Sequence, residues 1–266
     1  MLKLLAIVVV TFAAFPALAG ATAWQDIAPG VRARLISNDT VTNGMTLAGF
    51  ELDMPQTTKT YWRVPGEAGI PTQFDFTGSV GLGDPAVAWP YPEIDRSQGY
   101  LDYVYHGHVV FPIELTAVGD AATLNAAITL GVCSDVCVPA QAKFSLPLSF
   151  AQPDAGQSIR LSQAEAQAPI AWDRPGDPVG AVTATADGIS VANPDPAIEQ
   201  ETLIADVGDP AILFETPQKS PDGTLWTLKL LGGAAGEGLE GRPVQLTFMT
   251  ASGPYAVSRQ IAASAR

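Results

Sequence analysis

The sequence predicts an all-β protein, and three observations carry this prediction. Apolar and polar residues alternate in several segments, which is the pattern of half-buried strands. Glycine (25 residues) and proline (22 residues) are abundant, which suits many short strands joined by turns. Hydrophobic residues make up 47% of the chain and charged residues only 15%, so the chain can bury a core.

The N-terminus has the form of a secretory signal peptide. A basic start at Met1–Lys3 precedes an apolar run over residues 4–15, and A-x-A cleavage motifs follow at Ala17–Ala19 and Ala21–Ala23. We predict a signal peptide over residues 1–23, with a retained anchor helix as the alternative. No other apolar run approaches the ~18 residues of a membrane span, so we expect no stable membrane insertion after cleavage.

Residues 24–152 carry the clearest strand signals and are predicted to form one β-sandwich. Alternating apolar residues recur in four segments, namely 45–54, 109–115, 124–132 and 144–150. This period of two indicates antiparallel strands with one buried face. Pro112 and Pro147 lie inside such segments, which predicts edge positions or bulges there because proline cannot donate to the sheet ladder.

The rest of the chain is predicted to form a linker and a second β-sandwich. Residues 153–168 are the linker, and the capping pattern Ser162-x-x-Glu165 predicts a short helix over Ser162–Gln167. Residues 169–266 resume the strand pattern, and Asp187-Gly188 and Asp222-Gly223 are typical of hairpin turns. Each module is near the ~100 residues of an immunoglobulin-like domain.

The charge of the chain excludes two classes of partner. The formal net charge is −13, from 14 Lys and Arg against 27 Asp and Glu. Nucleic acids and anionic membrane surfaces are themselves polyanions, so neither is an expected partner.

The two cysteines, Cys133 and Cys137, are the most informative residues. Export would place them in an oxidising compartment, where a disulfide can form and persist. In an extended strand their Cα atoms would be ~13 Å apart, too far to bridge, so an oxidised pair requires a compact turn with a Cα separation of about 6 Å. A bridge closing so short a loop stabilises by only roughly 2 kcal/mol. The spacing favours a redox role, and leaves open a structural clip and a metal site.

The metal alternative would use His106 and His108. On one strand these side chains face the same side, and with two cysteines they could form a four-ligand zinc or copper site. The other interpretation is that both histidines lie on the solvent face of a surface strand or turn. We expect no metal and no cofactor.

Two motifs together give a family resemblance. The string T-Y-W-R-x-P-G-x-x-G occupies Thr60–Gly69, and C-x-x-x-C-x-P occupies Cys133–Pro139. Their order resembles the periplasmic N-terminal domain of the thiol–disulfide interchange protein DsbD, in its ScsB-like branch, over roughly residues 31–150. The second module is similar to the sandwich that accompanies the first in that branch, although no motif anchors it.

The resemblance implies an immunoglobulin-like fold, a periplasmic location and a redox-active pair at Cys133 and Cys137. It implies that Cys137 engages in the intermolecular disulfide and that Cys133 resolves it. The family has an aromatic cap loop over its disulfide, for which residues 74–79 are the candidate, with Phe74 and above all Phe76 as the shielding residues; core packing is their alternative role. Trp62 and Arg63 are expected to be architectural.

The implied partners are thioredoxin-fold periplasmic proteins and a membrane thiol reductase. These 266 residues contain no membrane-spanning bundle and no thioredoxin-like domain, so we expect either that the reductase is a separate polypeptide or that the relay role is lost. An active protein would be a thiol–disulfide oxidoreductase of the protein-disulfide reductase type. Two other functions stay open, namely a copper-handling or envelope-stress binding protein that uses the same thiols, and a scaffold with a structural disulfide.

Overall fold

The computed structural model describes residues 20–233 and 238–263. The predicted signal segment lies outside the described residues as far as Ala19. The fold is all-β, as predicted, with one α-helix among the described residues. No helix in the described ranges is long and apolar enough to cross a membrane.

The first module contains eleven strands. Their bounds are Gln25–Ala28 (β1), Val31–Ser37 (β2), Met45–Asp53 (β3), Lys59–Gly66 (β4), Gln73–Asp75 (β5), Leu82–Val87 (β6), Glu93–Asp95 (β7), Asp102–His106 (β8), His108–Ala117 (β9), Ala122–Cys133 (β10) and Cys137–Leu148 (β11).

These strands form two antiparallel sheets that enclose one core. The first sheet has the order β1-β2-β3-β9-β6, and the second has the order β11-β10-β4-β8-β7 with β5 paired to β10. Phe50 and Phe111 from the first sheet and Trp62 from the second are fully buried between them. This arrangement confirms the immunoglobulin-like sandwich that the sequence predicts.

The two prolines within strands occupy different positions. Pro147 lies in β11, an edge strand, as predicted. Pro112 lies in β9, between β3 and β6, so the prediction of an edge position was wrong for it. The strand tolerates this proline because the β6 ladder ends one residue away, at Val87 opposite Ile113.

The helix between the modules begins earlier than predicted. It spans Ala155–Glu165 (α1), and Asp154 caps it by accepting a hydrogen bond of 3.0 Å from the Gln157 backbone N–H. The predicted start at Ser162 was therefore wrong, because Ser162 lies inside the helix. The start of the helix was difficult to predict from the sequence, since Gly156 in the first turn has a low helix propensity.

Helix α1 packs on the outer face of the first sheet. Leu161 is fully buried there against Ile36 and Val110. A side chain at Gly49 would place its Cβ 2.7 Å from the Leu161 Cδ2 atom, so a larger residue would displace Leu161 where the helix crosses the sheet. The segment after the first module is thus a packed part of it.

The second module contains eight strands and two short 3₁₀ turns. The strands are Ile170–Ala171 (β12), Val182–Thr185 (β13), Gly188–Ala192 (β14), Ile204–Asp206 (β15), Gln218–Lys219 (β16), Leu225–Lys229 (β17), Pro243–Thr250 (β18) and Gly253–Ala262 (β19). The 3₁₀ turns are Gln200–Thr202 and Leu231–Gly233.

These strands follow the order β15-β18-β19-β13-β14-β17-β16, with β12 paired to β19. They enclose a second core around Val191, Trp226 and Phe248. The turn signals Asp187-Gly188 and Asp222-Gly223 connect β13 to β14 and β16 to β17, so both predicted hairpins are confirmed.

The two modules are joined by polar and apolar contacts. The Tyr91 hydroxyl donates to the Thr202 carbonyl, and Arg63 forms an ion pair with Asp206 at 2.9 Å. Ile204 of the second module packs into the first core. The first core therefore continues across the module boundary.

Candidate functional site

The β10–β11 hairpin positions the two cysteines. Its register runs without a break from Ala122 opposite Leu148 to Cys133 opposite Cys137, and residues 134–136 form the loop. A disulfide joins the cysteines with a Cα separation of 4.0 Å. The predicted compact turn is confirmed, and the distance is shorter than the expected ~6 Å because the residues are direct cross-strand neighbours rather than one helical turn apart.

The two sulfurs differ in access to solvent. Cys133 is 1% exposed, whereas Cys137 is exposed. The difference follows from the sheet order, because β10 has β4 on its other side, with Lys59 opposite Cys133, while β11 is an edge strand. An attacking thiolate can therefore reach Cys137 far more readily than Cys133.

The phenol of Tyr61 lies directly behind the disulfide. Its hydroxyl is 3.1 Å from the Cys133 sulfur and 3.7 Å from the Cys137 sulfur. Burial and the nearby Asp102 carboxylate raise the pKa of Tyr61, and the Lys59 ammonium only partly opposes this, so the phenol is neutral at physiological pH. A neutral phenol retains its proton and can donate a hydrogen bond to sulfur.

Two glycines make room for the Tyr61 ring. A Cβ at Gly69 would lie 2.3 Å from the ring, and a Cβ at Gly131 would lie 3.1 Å from it. Gly69 is the last residue of the T-Y-W-R-x-P-G-x-x-G string, and Gly131 lies two residues before Cys133. Glycine at the last position of this string therefore has a physical cause, because the backbone there approaches the Tyr61 ring closely.

A lysine and two aspartates form a charged cluster beside the phenol. The Lys59 ammonium contacts Asp95 at 2.9 Å and Asp102 at 3.0 Å. Burial would lower the pKa of Lys59, but its hydrogen bonds to the two carboxylates outweigh burial and raise it. Burial alone would raise the pKa of Asp95, but hydrogen bonds from Lys59 and Ser97 outweigh it and lower the pKa to about 2. The cluster thus contains one more carboxylate than ammonium.

An open cavity of about 500 Å³ adjoins the disulfide. One wall is formed by Asp95 at the end of β7 and by Ser97, Gln98 and Tyr100 in the segment between β7 and β8. Arg96 of this segment donates a hydrogen bond of 2.5 Å to the Thr216 hydroxyl of the second module. The wall beside the disulfide is thus held by Lys59 on one side and by the second module on the other.

The structure does not bring the predicted cap residues to the disulfide. Phe74 lies opposite Ile128 in the β5–β10 pair, about 16 Å along the strand from Cys133. Its ring packs against Phe50 and Trp89, and the Phe76 ring stacks on it at 5.9 Å. Both side chains thus cover the core, which was the alternative interpretation. The exposed tyrosine in the cavity wall beside the disulfide is Tyr100.

The two histidines lie on different sheets. Gly107, with φ of 66°, separates β8 from β9, so His106 lines the cavity while His108 binds the Glu51 carboxylate at 2.8 Å on the other sheet. The four-ligand site considered from the sequence is therefore contradicted. Within residues 20–233 and 238–263, no group of three or more His, Cys, Asp or Glu side chains has metal-binding geometry.

Sequence reasoning overlooked Tyr61, Lys59 and the segment 95–100. A signal for Tyr61 was present, because strand alternation places it on the face opposite Trp62, and Trp62 is a natural core residue. The charged cluster had no such signal, since Asp95 and Asp102 meet Lys59 only through the pairing of β7, β8 and β4.

Fold and site together define an all-β, two-module sandwich protein with a half-exposed disulfide at the tip of a hairpin. Residues 32–149 match the family described as "Thiol:disulfide interchange protein DsbD, N-terminal". The resemblance found in the sequence is thereby confirmed for the first module, which contains both cysteines.

A solved structure extends the similarity to both modules. It is the crystal structure of the N-terminal periplasmic domain of ScsB from Proteus mirabilis, with a TM-score of 0.69 and 23% identity, covering 92% of this chain and 99% of that one. At this identity the likeness shows a shared fold. No curated protein matches the chain.

Proposed function

We propose that this protein is a periplasmic thiol–disulfide exchange module that passes electrons through Cys133 and Cys137. The observation that carries the proposal is the unequal exposure of the two sulfurs, with Cys137 open to solvent and Cys133 buried. The family matched by residues 32–149 supports the same reaction class.

The reaction runs in two balanced steps. A thiolate of a reduced partner attacks the Cys137 sulfur, a partner–Cys137 disulfide forms, and the Cys133–Cys137 bond breaks with its electron pair on Cys133. The partner's second thiol, once deprotonated, then attacks the partner sulfur of the mixed disulfide, and Cys137 leaves as a thiolate. The module has gained two electrons and the partner is oxidised; the reverse sequence reduces a partner.

The disulfide contributes little to the stability of the hairpin. The hairpin that carries it is already held by a continuous ladder along β10 and β11. A bridge closing this short loop adds only roughly 2 kcal/mol by the chain-entropy model. This favours exchange over a purely structural clip.

The surface around Cys137 suits a protein partner. Val136 in the loop is 70% exposed, Val138 next to Cys137 is 40% exposed, and Tyr100 of the cavity wall is 53% exposed. Apolar side chains exposed around a reactive sulfur are typical of a docking surface. The family implies thioredoxin-fold proteins as partners and a separate membrane thiol reductase as the electron source.

Trapping with single-cysteine variants tests the proposal. The probe is a thioredoxin-fold protein whose buried cysteine is replaced by serine and whose reactive cysteine carries a thionitrobenzoate group. Cys133→Ala should release the coloured thiolate and form a mixed disulfide through Cys137. The matched variant Cys137→Ala should react at least about tenfold more slowly, because its remaining thiol is buried. The proposal fails if neither variant forms the complex, or if Cys137→Ala reacts as fast.

A further inference from the structure

We propose that Tyr61 is a catalytic residue that stabilises Cys133 as the leaving thiolate by donating a hydrogen bond from its hydroxyl. The inference rests on the proposed exchange function. The geometry that carries it is the 3.1 Å separation between the Tyr61 hydroxyl and the Cys133 sulfur, inside a site where both residues are 1% exposed.

The reaction creates a charge where solvent cannot reach it. When a partner thiolate bonds to Cys137, the electron pair of the broken bond remains on Cys133. A buried thiolate without a hydrogen bond or a cation is strongly disfavoured. Cys133 therefore needs a donor within the protein.

The charged groups around the site do not supply that stabilisation. The lysine, aspartate and histidine side chains lining the cavity with Cys133 are Lys59, Asp95, Asp102, Asp135 and His106. Three carboxylates surround one ammonium, and the Lys59 ammonium is occupied by Asp95 and Asp102. This excess of carboxylates over ammonium groups opposes formation of a thiolate.

Tyr61 is held in place to act as that donor. Its backbone carbonyl accepts a hydrogen bond of 2.6 Å from the Thr72 hydroxyl, and Gly69 and Gly131 pack against its ring. The hydroxyl lies nearer to the Cys133 sulfur than to the Cys137 sulfur, by 3.1 Å against 3.7 Å. The phenol therefore favours charge on the sulfur that leaves.

The first test is the pKa of the Cys133 thiol, measured by thiolate ultraviolet absorbance in the Cys137→Ala background. Adding Tyr61→Phe removes the hydroxyl and keeps the ring, and should reduce the thiolate equilibrium about tenfold, which is one pKa unit. Tyr105→Phe is the matched control, because its hydroxyl donates to the Pro90 carbonyl on the core side of the sheet. This control should leave the Cys133 pKa unchanged.

The second test is the rate at which dithiothreitol reduces the Cys133–Cys137 disulfide. Tyr61→Phe should slow the reduction about tenfold, and Tyr105→Phe should not slow it. An unchanged Cys133 pKa and an unchanged rate in Tyr61→Phe would overturn the role of Tyr61 while leaving the exchange function standing. Conversely, failed trapping of a thioredoxin-fold partner would overturn the exchange function. The effect of Tyr61→Phe on the Cys133 pKa would still test whether Tyr61 stabilises the thiolate.

A measurement without substitution at Tyr61 covers the case in which Tyr61→Phe does not fold. The hydroxyl proton of Tyr61 should be observable by NMR in the wild-type protein, because the group is buried and hydrogen-bonded. In the reduced protein its resonance should move downfield as the pH is raised through the pKa of the Cys133 thiol, since the bond to a thiolate is stronger than the bond to a thiol. A resonance that does not move while the Cys133 thiolate forms would overturn the inference.

Discussion

Arg63 of the first module and Asp206 of the second form an ion pair with Nε and Oδ2 2.9 Å apart. Arg63 also donates to the Gln245 side chain, and its guanidinium lies 3.9 Å from the centre of the Trp62 ring. Strand β4 thus carries Tyr61 at the disulfide, Trp62 in the core and Arg63 at the module contact. The second module thus contacts the strand that supports the disulfide.

Replacing Arg63 by methionine should loosen the contact between the modules. The variant leaves the Asp206 carboxylate, which is 10% exposed, without its partner, and we expect a loss of about 2 kcal/mol. Differential scanning calorimetry should show two resolved transitions in place of one. Arg242→Met is the control, because its 3.7 Å pair with Asp209 is solvent-exposed within the second module and should matter little. A profile of Arg63→Met identical to wild type would contradict the coupling.

Glu51 should make the stability depend on pH. Burial alone would raise the pKa of this fully buried carboxyl group, but hydrogen bonds from His108, Arg34 and Arg160 lower it to about 2. Because the folded pKa lies below the unfolded value of 4.5, the stabilisation is complete above about pH 4.5 and is lost as the pH falls towards 2.

The test compares wild type with Glu51→Gln in urea at pH 7 and pH 3. Glu51→Gln should destabilise by about 3 kcal/mol at pH 7, and the difference should narrow by about 2 kcal/mol at pH 3. Asp53→Asn removes an exposed pair with Arg32 and should cost less than about 1 kcal/mol at either pH. A pH-independent difference for Glu51→Gln would refute the assignment.

Phe74 and Tyr100 should have opposite effects on stability and reactivity. Phe74→Ala should lower the free energy of unfolding by about 3 kcal/mol, because the ring contacts several core aromatics, and should leave the rate of disulfide reduction unchanged. Tyr100→Ala removes an exposed side chain from the wall of the cavity, so it should speed reduction by a small thiol at little cost in stability. Faster reduction in Phe74→Ala would instead restore the cap-loop prediction for that residue.

The contacts of residues 20–22 favour the first of the two predicted cleavage sites. The Gly20 carbonyl accepts from the Ser37 N–H at 2.6 Å, and Thr22 exchanges two hydrogen bonds with Leu35. Cleavage after Ala23 would remove all three bonds, whereas cleavage after Ala19 keeps them. Intact-mass analysis of the exported protein should therefore give Gly20 as its first residue. A mass corresponding to Trp24 as the first residue would support the second site.

The sequence predicted those features that depend on local pattern. The period of two located the strands that form the sandwich, and the spacing of Cys133 and Cys137 required a compact turn. The two Asp-Gly hairpins were found because turn chemistry is also local.

Features that depend on pairing between distant strands escaped prediction. The sequence around Phe74 and Phe76 is compatible with a cap role and with a core role. Only the pairing of β5 with β10, which places Phe74 opposite Ile128, decides between these roles. His106 and His108 lie on different sheets because the chain passes from one sheet to the other at the glycine between them. The start of α1 was missed because its stability comes from packing of Leu161 on the sheet rather than from helix propensity.

The proposed exchange function requires the Cys133–Cys137 disulfide to be reduced and re-formed in use, and measuring its reduction potential distinguishes this function from a structural role. The protein should be equilibrated in buffers of defined glutathione or dithiothreitol potential, and the free thiols counted by alkylation and mass spectrometry. An exchange module should give a midpoint above about −300 mV, within reach of thioredoxin-fold partners. A midpoint well below about −300 mV would assign the pair to a structural clip and rule out the exchange function.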